Sequence, residues 1–391
     1  MKNAGALISV AAASAASAAL FAAIPAWAAS AAVTFPSALE AVSAASPTDA
    51  WAVGDSYYSY TGAEGLAEHW NGKTWTKFPV PGTGEYNDNL VGVSAHSPTD
   101  AWAVTQVGTQ AVGLTSQVLH WNGKAWVQVA APVRGPDGYA YILTGISVAS
   151  PDSVWAVGYG GDTSDGIVLH WNGKAWSWSH ILGQGDQLLA VTALSPSNVW
   201  AVGALYTVGS AGEGGYTVLP LVMHWNGKAW SRVAAPVLKG TGTGLDYMDE
   251  EGLTAVSNSS SGLFVTGGFT GSDSNSNMAY AARLVGKKWT LFKLPEQVRY
   301  DNPTSVAASP SGAWIAGSYG PPQAAHWNGK KWSPALIGSI NQHSDPESPP
   351  VYGLAGTSAS SIWAVGQRAN AELIGVATIY HWNGKAWARS A

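Results

Sequence analysis

Apolar and polar positions along the chain recur as one unit, written seven times. Each copy opens with alternating apolar and small residues around Val42, Val93, Ile146, Val191, Val256, Val306 or Leu354, makes a short turn, and enters Trp-Ala-Val-Gly or a variant of it. A loop of variable length follows, then a second apolar run ending in His-Trp, and finally Asn-Gly-Lys-x-Trp. Period-two alternation bounded by Gly, Pro, Ser and Asn marks short strands and turns. Each copy therefore predicts four strands: the opening run, Trp-Ala-Val-Gly, the run ending in His-Trp, and the segment begun by Lys-x-Trp.

Three landmarks hold the register. The first is Trp51, Trp102, Trp155, Trp200, Trp314 and Trp363, with Phe264 in the fifth copy. The second is Trp70, Trp121, Trp171, Trp225, Trp327 and Trp382, with Leu284 in the fifth. The third is Trp75, Trp126, Trp176, Trp230, Trp289, Trp332 and Trp387, so that of the 21 tryptophans only Trp27 and Trp178 stand outside the frame. Second and third landmarks are five residues apart in every copy, and the opening apolar residue precedes the first landmark by eight or nine. These two connections are short; the other two vary. Asn-Gly between strand-like runs suits a two-residue type I′ turn, with positive φ at both residues, from third to fourth strand. Val285-Gly286 replaces it in the fifth copy, where a β-branched residue at positive φ predicts a distorted turn.

A four-stranded antiparallel sheet of about 50 residues cannot hide its own faces, and seven of them solve this by packing radially around an axis. An open stack would expose two apolar end faces, and no capping segment is evident in the sequence. The predicted fold is an all-β, seven-bladed β-propeller of four-stranded antiparallel blades. The blades fall near 37–87, 88–139, 140–185, 186–249, 250–300, 301–348 and 349–391, with blade seven meeting blade one directly and the segment 33–36 assisting closure.

The first 28 residues read differently. Lys2, an apolar Ala-rich run and Ala26-Trp27-Ala28 form a secretory signal with cleavage expected after Ala28, leaving no membrane span in residues 29–391. The chain has no cysteine, which a domain of this size tolerates without disulfides and which removes thiol catalysis and Cys-ligated metal. A net charge of -5 offers no basic stripe for nucleic acid. A monomer is expected.

The repeat resembles the Trp-rich propeller repeats of secreted bacterial proteins. Its Asn-Gly-Lys-x-Trp hairpin is similar to a degenerate Asp-box hairpin of sialidase-like and photosystem-stability-factor-like propellers. The resemblance implies the fold and no catalytic residue, because the Ser-x-Asp that opens an Asp box is replaced by residues such as Glu68-His69-Trp70.

The conspicuous residues divide between packing and binding. Burying one tryptophan removes about 150–250 Å² from water, on the order of 4–6 kcal/mol, so the frame indoles belong in the core. The histidines that precede a frame tryptophan, His69, His120, His170, His224, His326 and His381, are expected to hydrogen-bond within their own blades. Neighbouring third strands are splayed too far apart for one ion, whose bonds to nitrogen are about 2 Å. Lysines after the Asn-Gly turns make a charged rim that solvates the hairpin ends and discourages edge pairing, or attracts acidic cell-wall polymer.

Because strands alternate in direction, both short turns share one face and both variable loops share the other, where propeller ligands should bind. All tyrosines except Tyr280, Tyr352 and Tyr380 map to those loops, and tyrosine suits recognition at low entropy cost. The ligand-binding candidates are Tyr57, Tyr58, Tyr60, Tyr139 and Tyr141, with Asp246, Tyr247, Tyr300 and Asp301. An acidic cluster, Asp249, Glu250 and Glu251, supplies carboxylates that glycoside hydrolysis would need about 5–10 Å apart. Asp273-x-Asn275-x-Asn277 alternates oxygen ligands as a calcium loop would, but Leu284 stands where an EF-hand has its bidentate Glu; a looser calcium site, there or at Asp162 and Asp165, is the one cofactor reading.

The leading expectation is an extracellular, non-enzymatic binding propeller with a glycan or extracellular protein as partner. The second is a secreted carbohydrate-active hydrolase or lyase using the loop carboxylates, and the third a purely structural surface protein.

Overall fold

Seven times, four consecutive strands fold back and forth into one antiparallel sheet, as the repeat predicts. In blade one these are β1 (Ser37–Ser46), β2 (Asp49–Ser59), β3 (Gly62–Trp70) and β4 (Trp75–Phe78). The other blades run from Tyr86 to Val129, Tyr141 to Ile181, Asp186 to Arg232, Gly252 to Lys293, Pro303 to Ala335 and Val351 to Arg389. Blade two thus begins at Tyr86, slightly before its expected boundary. The computed structural model describes residues 36–391 except 60–61, 83–85, 110–112, 136–137, 161–164, 184, 209–215, 237–251, 270–277, 296–297, 299–302, 318–323, 338–349 and 370–374. Residues Phe35–Ala391 form one compact unit.

The core lies between blades rather than within them, in seven apolar clusters that each draw on two neighbouring sheets. Indoles organise most of them. Trp51 of blade one inserts between Trp121 and Trp126 of blade two, with ring centroids 4.9 Å away in both cases. Trp102 meets Trp171 and Trp176, Trp155 meets Trp225 and Trp230, and Trp314 meets Trp382 and Trp387 in the same way. Trp363 of blade seven inserts between Trp70 and Trp75 of blade one, at 5.2 and 5.1 Å, and this closes the ring. None of the nineteen frame tryptophans is exposed.

Polar contacts repeat around the inner strands. Ser43, Ser94, Ser147 and Ser257, each paired with the first landmark of its own blade, accept a backbone N–H from the next blade at 2.9–3.0 Å. A different contact crosses the closure, where Ser37 of blade one accepts the N–H of Ala377 in the third strand of blade seven at 2.9 Å. Blade seven therefore joins blade one through its own strands, as expected; residues 33–35 of the proposed closing segment lie outside the described residues.

Two details differ from the sequence reading. Asn-Gly is not the centre of a two-residue turn, because Trp70 pairs with Trp75 across four residues. Gly72, at φ +89°, sits at the first central position, and Asn71 outside it accepts the N–H groups of Lys73 and Thr74 on its Oδ1, each at 3.0 Å. The asparagine thus serves as a side-chain acceptor at the entry to the turn. For the same reason the fifth blade is not distorted: Val285 pairs with Lys288, and Gly286 at φ +63° carries the turn.

The strands also extend further toward the variable loops than expected. The glycine of Trp-Ala-Val-Gly explains how. A Cβ on Gly54 would collide with the carbonyl oxygen of Ala38, where β1 carries a bulge between Leu39 and Ala41. Glycine avoids that clash as the sheet continues past the bulge, although in blade two Thr105 holds the same place opposite Leu90. Consequently Tyr57, Tyr58, Tyr86, Tyr141, Tyr159, Tyr206 and Tyr216 lie in strands and not in loops.

The histidines behave as packing residues. Five stack on the first landmark of their own blade at 4.0–4.5 Å, and His381 lies tilted on Trp363 at 4.2 Å. His69 and His120 bond Asp49 and Asp100, His170 and His381 bond Ser153 and Ser361, and His224 bonds Asn198. Gly312 stands at that place in blade six and supplies no side-chain partner for His326. Burial pulls His170, His224, His326 and His381 below the usual histidine range. Arg283 takes the histidine's place in blade five, its guanidinium 5.8–6.0 Å from the rings of Phe264, Phe292 and Trp327.

Trp155→Ala should cost about 3–5 kcal/mol in urea unfolding, whereas Trp200→Ala should cost about 1 kcal/mol less or lower still, since Trp200 is only half-buried. Equal losses would show that burial between blades does not set the energy.

Candidate functional site

The bulge that glycine permits also aims side chains at the variable-loop end of the channel. In blade one Glu40 is the bulged residue of β1, and Asp55 follows the glycine in β2, paired with Ala38. Tyr57, next but one along β2, hydrogen-bonds Asp55 and is 43% exposed. Burial, and then the negative charge of Asp55, push the Glu40 carboxyl up to about 7. Burial raises Asp55 as well, opposed by its hydrogen bonds to Tyr57 and to its own backbone. The Asp55 charge and burial together raise the Tyr57 hydroxyl. Two carboxyls with raised pKa and a phenol thus share one corner of the loop face.

Register extends this corner into a crescent. The slot of Asp55 is filled by Gln106 in blade two, Tyr159 in blade three and Gln367 in blade seven, all partly exposed. The bulge slot of Glu40 holds Thr144 in blade three and Tyr352 in blade seven, where Gln367 donates to the Tyr352 hydroxyl at 2.9 Å. Blade four offers Leu189 and Ala204 in the two slots, and blade five offers Thr254 and Gly268. Blade six offers Thr304 in the bulge slot, so among the described residues of these slots the carboxyl, amide and phenol groups fall on blades seven, one, two and three.

The residues singled out from sequence are placed as follows. Tyr57 lies in the crescent, and Tyr58 is its neighbour in β2. Tyr139 is 53% exposed before the inner strand of blade three. Tyr141 is buried, with its ring edge-on to Trp178 at 5.2 Å, and so packs the interior rather than facing a ligand. Asp165 is half-buried in the third strand of blade three, opposite Gly160. Tyr60, Asp246, Tyr247, Tyr300 and Asp301 lie outside the described residues, as do Asp249, Glu250, Glu251, Asp162, Asp273, Asn275 and Asn277. Among the described residues no three His, Asp or Glu side chains converge as a metal site would require.

Sequence reasoning missed Glu40 and Asp55. The signal was an acid breaking the apolar alternation of Ser-Ala-Leu-Glu-Ala-Val, and another directly after Trp-Ala-Val-Gly.

The closed ring of four-stranded sheets makes this chain a seven-bladed β-propeller. The solved structure of YCF48 bound to D1 peptide is similar to it with a TM-score of 0.51, at 15% identity over 90% of this chain and 93% of that one. YCF48 from Cyanidioschyzon merolae aligns at 0.47, with 16% identity over 81% of this chain and 88% of that one. A mutant Aleuria aurantia lectin in complex with alpha-methyl-L-fucoside aligns at 0.39, with 12% identity over 92% and 95% of the two chains. No family model and no curated protein matches the sequence.

Glu40 sets a pH dependence. With a carboxyl at about 7 in the fold against its ordinary value of 4.5, the native state holds a proton that the unfolded chain has lost between those pH values. Stability from this group is therefore lost as pH rises from 4.5 to 7. Glu40→Gln should stabilise the protein at pH 8, by on the order of 3 kcal/mol, and make little difference at pH 4. Thermal melts at the two pH values check this, and equal effects at both would contradict it.

Proposed function

We propose that the chain is an extracellular, non-enzymatic binding propeller whose variable-loop face holds a glycan or a protein partner. The observation that carries this reading is the crescent of Tyr352, Gln367, Glu40, Asp55, Tyr57 and Gln106. These side chains combine amide, hydroxyl and carboxyl groups beside the channel, whereas the tryptophans and histidines toward the opposite face are engaged in packing. Amides, phenols and carboxylates suit the hydroxyl groups of sugars and the backbone of peptides alike. A propeller can carry such a ligand: YCF48 has been solved bound to D1 peptide. Export would follow from the first 28 residues, and N-terminal sequencing of the mature protein should begin at Ala29. A mature protein that retains Lys2 would contradict that part of the reading.

One observation favours the hydrolase alternative. Glu40, protonated near neutrality beside Asp55, is the kind of pair that divides acid and base roles in glycoside cleavage. Arrays of glycans and peptides separate the two readings. Binding should fall by about tenfold or more in Asp55→Ala and Tyr57→Ala, and stay unchanged in Lys73→Ala on the opposite face. Release of reducing sugar that is abolished by Glu40→Gln and Asp55→Asn would replace binding with catalysis as the function.

A further inference from the structure

The interface between blades four and five lacks an indole that other interfaces contain. Trp200 is the first landmark of blade four, and the next blade should present two tryptophans around it. It presents Leu284 and Trp289. An open cleft of about 300 Å³ lies beside the leucine, lined by Trp200, Leu284, Val285, Asn198, Asn258 and Ser260, on the short-turn face away from the polar crescent. Trp200 is half-buried there, while Trp51, Trp102, Trp155, Trp314 and Trp363 are at most 3% exposed.

Other blades show what fills the space. The second-landmark indole stands 4.9–5.2 Å from the first landmark of the preceding blade in five interfaces. In four of these its Nε1–H also donates to a carbonyl in the first turn of its own blade. Trp70 donates to Pro47 O at 3.2 Å, Trp121 to Pro98 O at 3.1 Å, Trp225 to Pro196 O at 3.0 Å and Trp382 to Ala359 O at 3.1 Å. Ser46 pairs with Asp49 around Pro47 as Ser259 pairs with Gly262 around Ser260, so Ser260 occupies the acceptor's place in blade five. Leu284 has no N–H to give it.

We infer that this cleft is a second binding site, separate from the loop face, which takes the tryptophan side chain of a partner polypeptide. The incoming indole lies tilted against Trp200, on the side away from the stacked His224, and beside Leu284, and its N–H donates to the carbonyl of Ser260. The occupant is a tryptophan because the corresponding space in other blades is filled by one carried on a polypeptide, with the same tilted ring contact and the same acceptor. A phenyl ring would satisfy the ring contact but has no N–H to donate to Ser260.

The test uses N-acetyl-5-fluorotryptophanamide, followed by ¹⁹F NMR so that the protein's own indoles do not interfere. The wild-type protein should broaden the resonance, and unlabelled N-acetyltryptophanamide should reverse this. N-acetyl-1-methyltryptophanamide and N-acetylphenylalaninamide should compete about threefold or more less well, the loss expected for one hydrogen bond. Leu284→Trp should fill the cleft from within, abolishing the broadening and raising the melting temperature. Failure of that variant to fold would count against the inference, since a tryptophan at this position fits the frame elsewhere. No broadening by the wild type at millimolar probe, or equal competition by the methylated or phenyl analogue, would overturn it whatever the variant does.

Discussion

The structure depends on one contact, repeated around an axis: the first indole of a blade enters the notch between two indoles of the next. A single four-stranded sheet leaves both faces wet, and its inner strand is flanked by small residues that bury little. The wedge converts those faces into shared core and gives each blade a direction, because the first landmark reaches forward while the second and third receive. Trp363 reaching Trp70 and Trp75 turns a directional stack into a ring without exchanging a strand.

That arrangement separates the two ends of the molecule. Indoles and their stacked histidines fill the short-turn half, where the connections are short. Toward the loops the same sheets carry glycine, a bulge and then whatever residue each blade supplies, so chemistry can differ there without disturbing the wedge. Glu40, Asp55 and Tyr57 can therefore differ from blade to blade, whereas charged groups of the short-turn half are tied to the ring packing, Asp49 and Asp100 through His69 and His120 and Arg283 beside Phe264. Blade five shows the converse case, in which loss of the frame residue at Leu284 opens a cleft within the packed half.

Much of this fold was legible in the repeat. The landmark spacings located every strand pair, and the surplus of tryptophan could only mean burial. What escaped was local. The turn centre was misread because Asn and Gly both tolerate positive φ, and sequence does not reveal that Asn71 acts through its side-chain oxygen. Strand length was underestimated because Gly54 reads as a terminator when it is the residue that lets β2 continue past a bulge. The assignment of tyrosines to loops failed for that same reason. Glu40 and Asp55 were legible as acids in an apolar strand, but their proximity depends on the bulge register, which only coordinates supply.

The most direct test of the wedge is a double-mutant cycle across the closure, joining Trp363 of blade seven to Trp75 of blade one. Urea unfolding of Trp363→Ala, Trp75→Ala and the double variant yields the coupling energy. The account predicts coupling of about 1 kcal/mol or more, as expected for an edge-to-face indole pair that also seals the ring. Strict additivity would contradict it, for the two residues would then stabilise only their own blades.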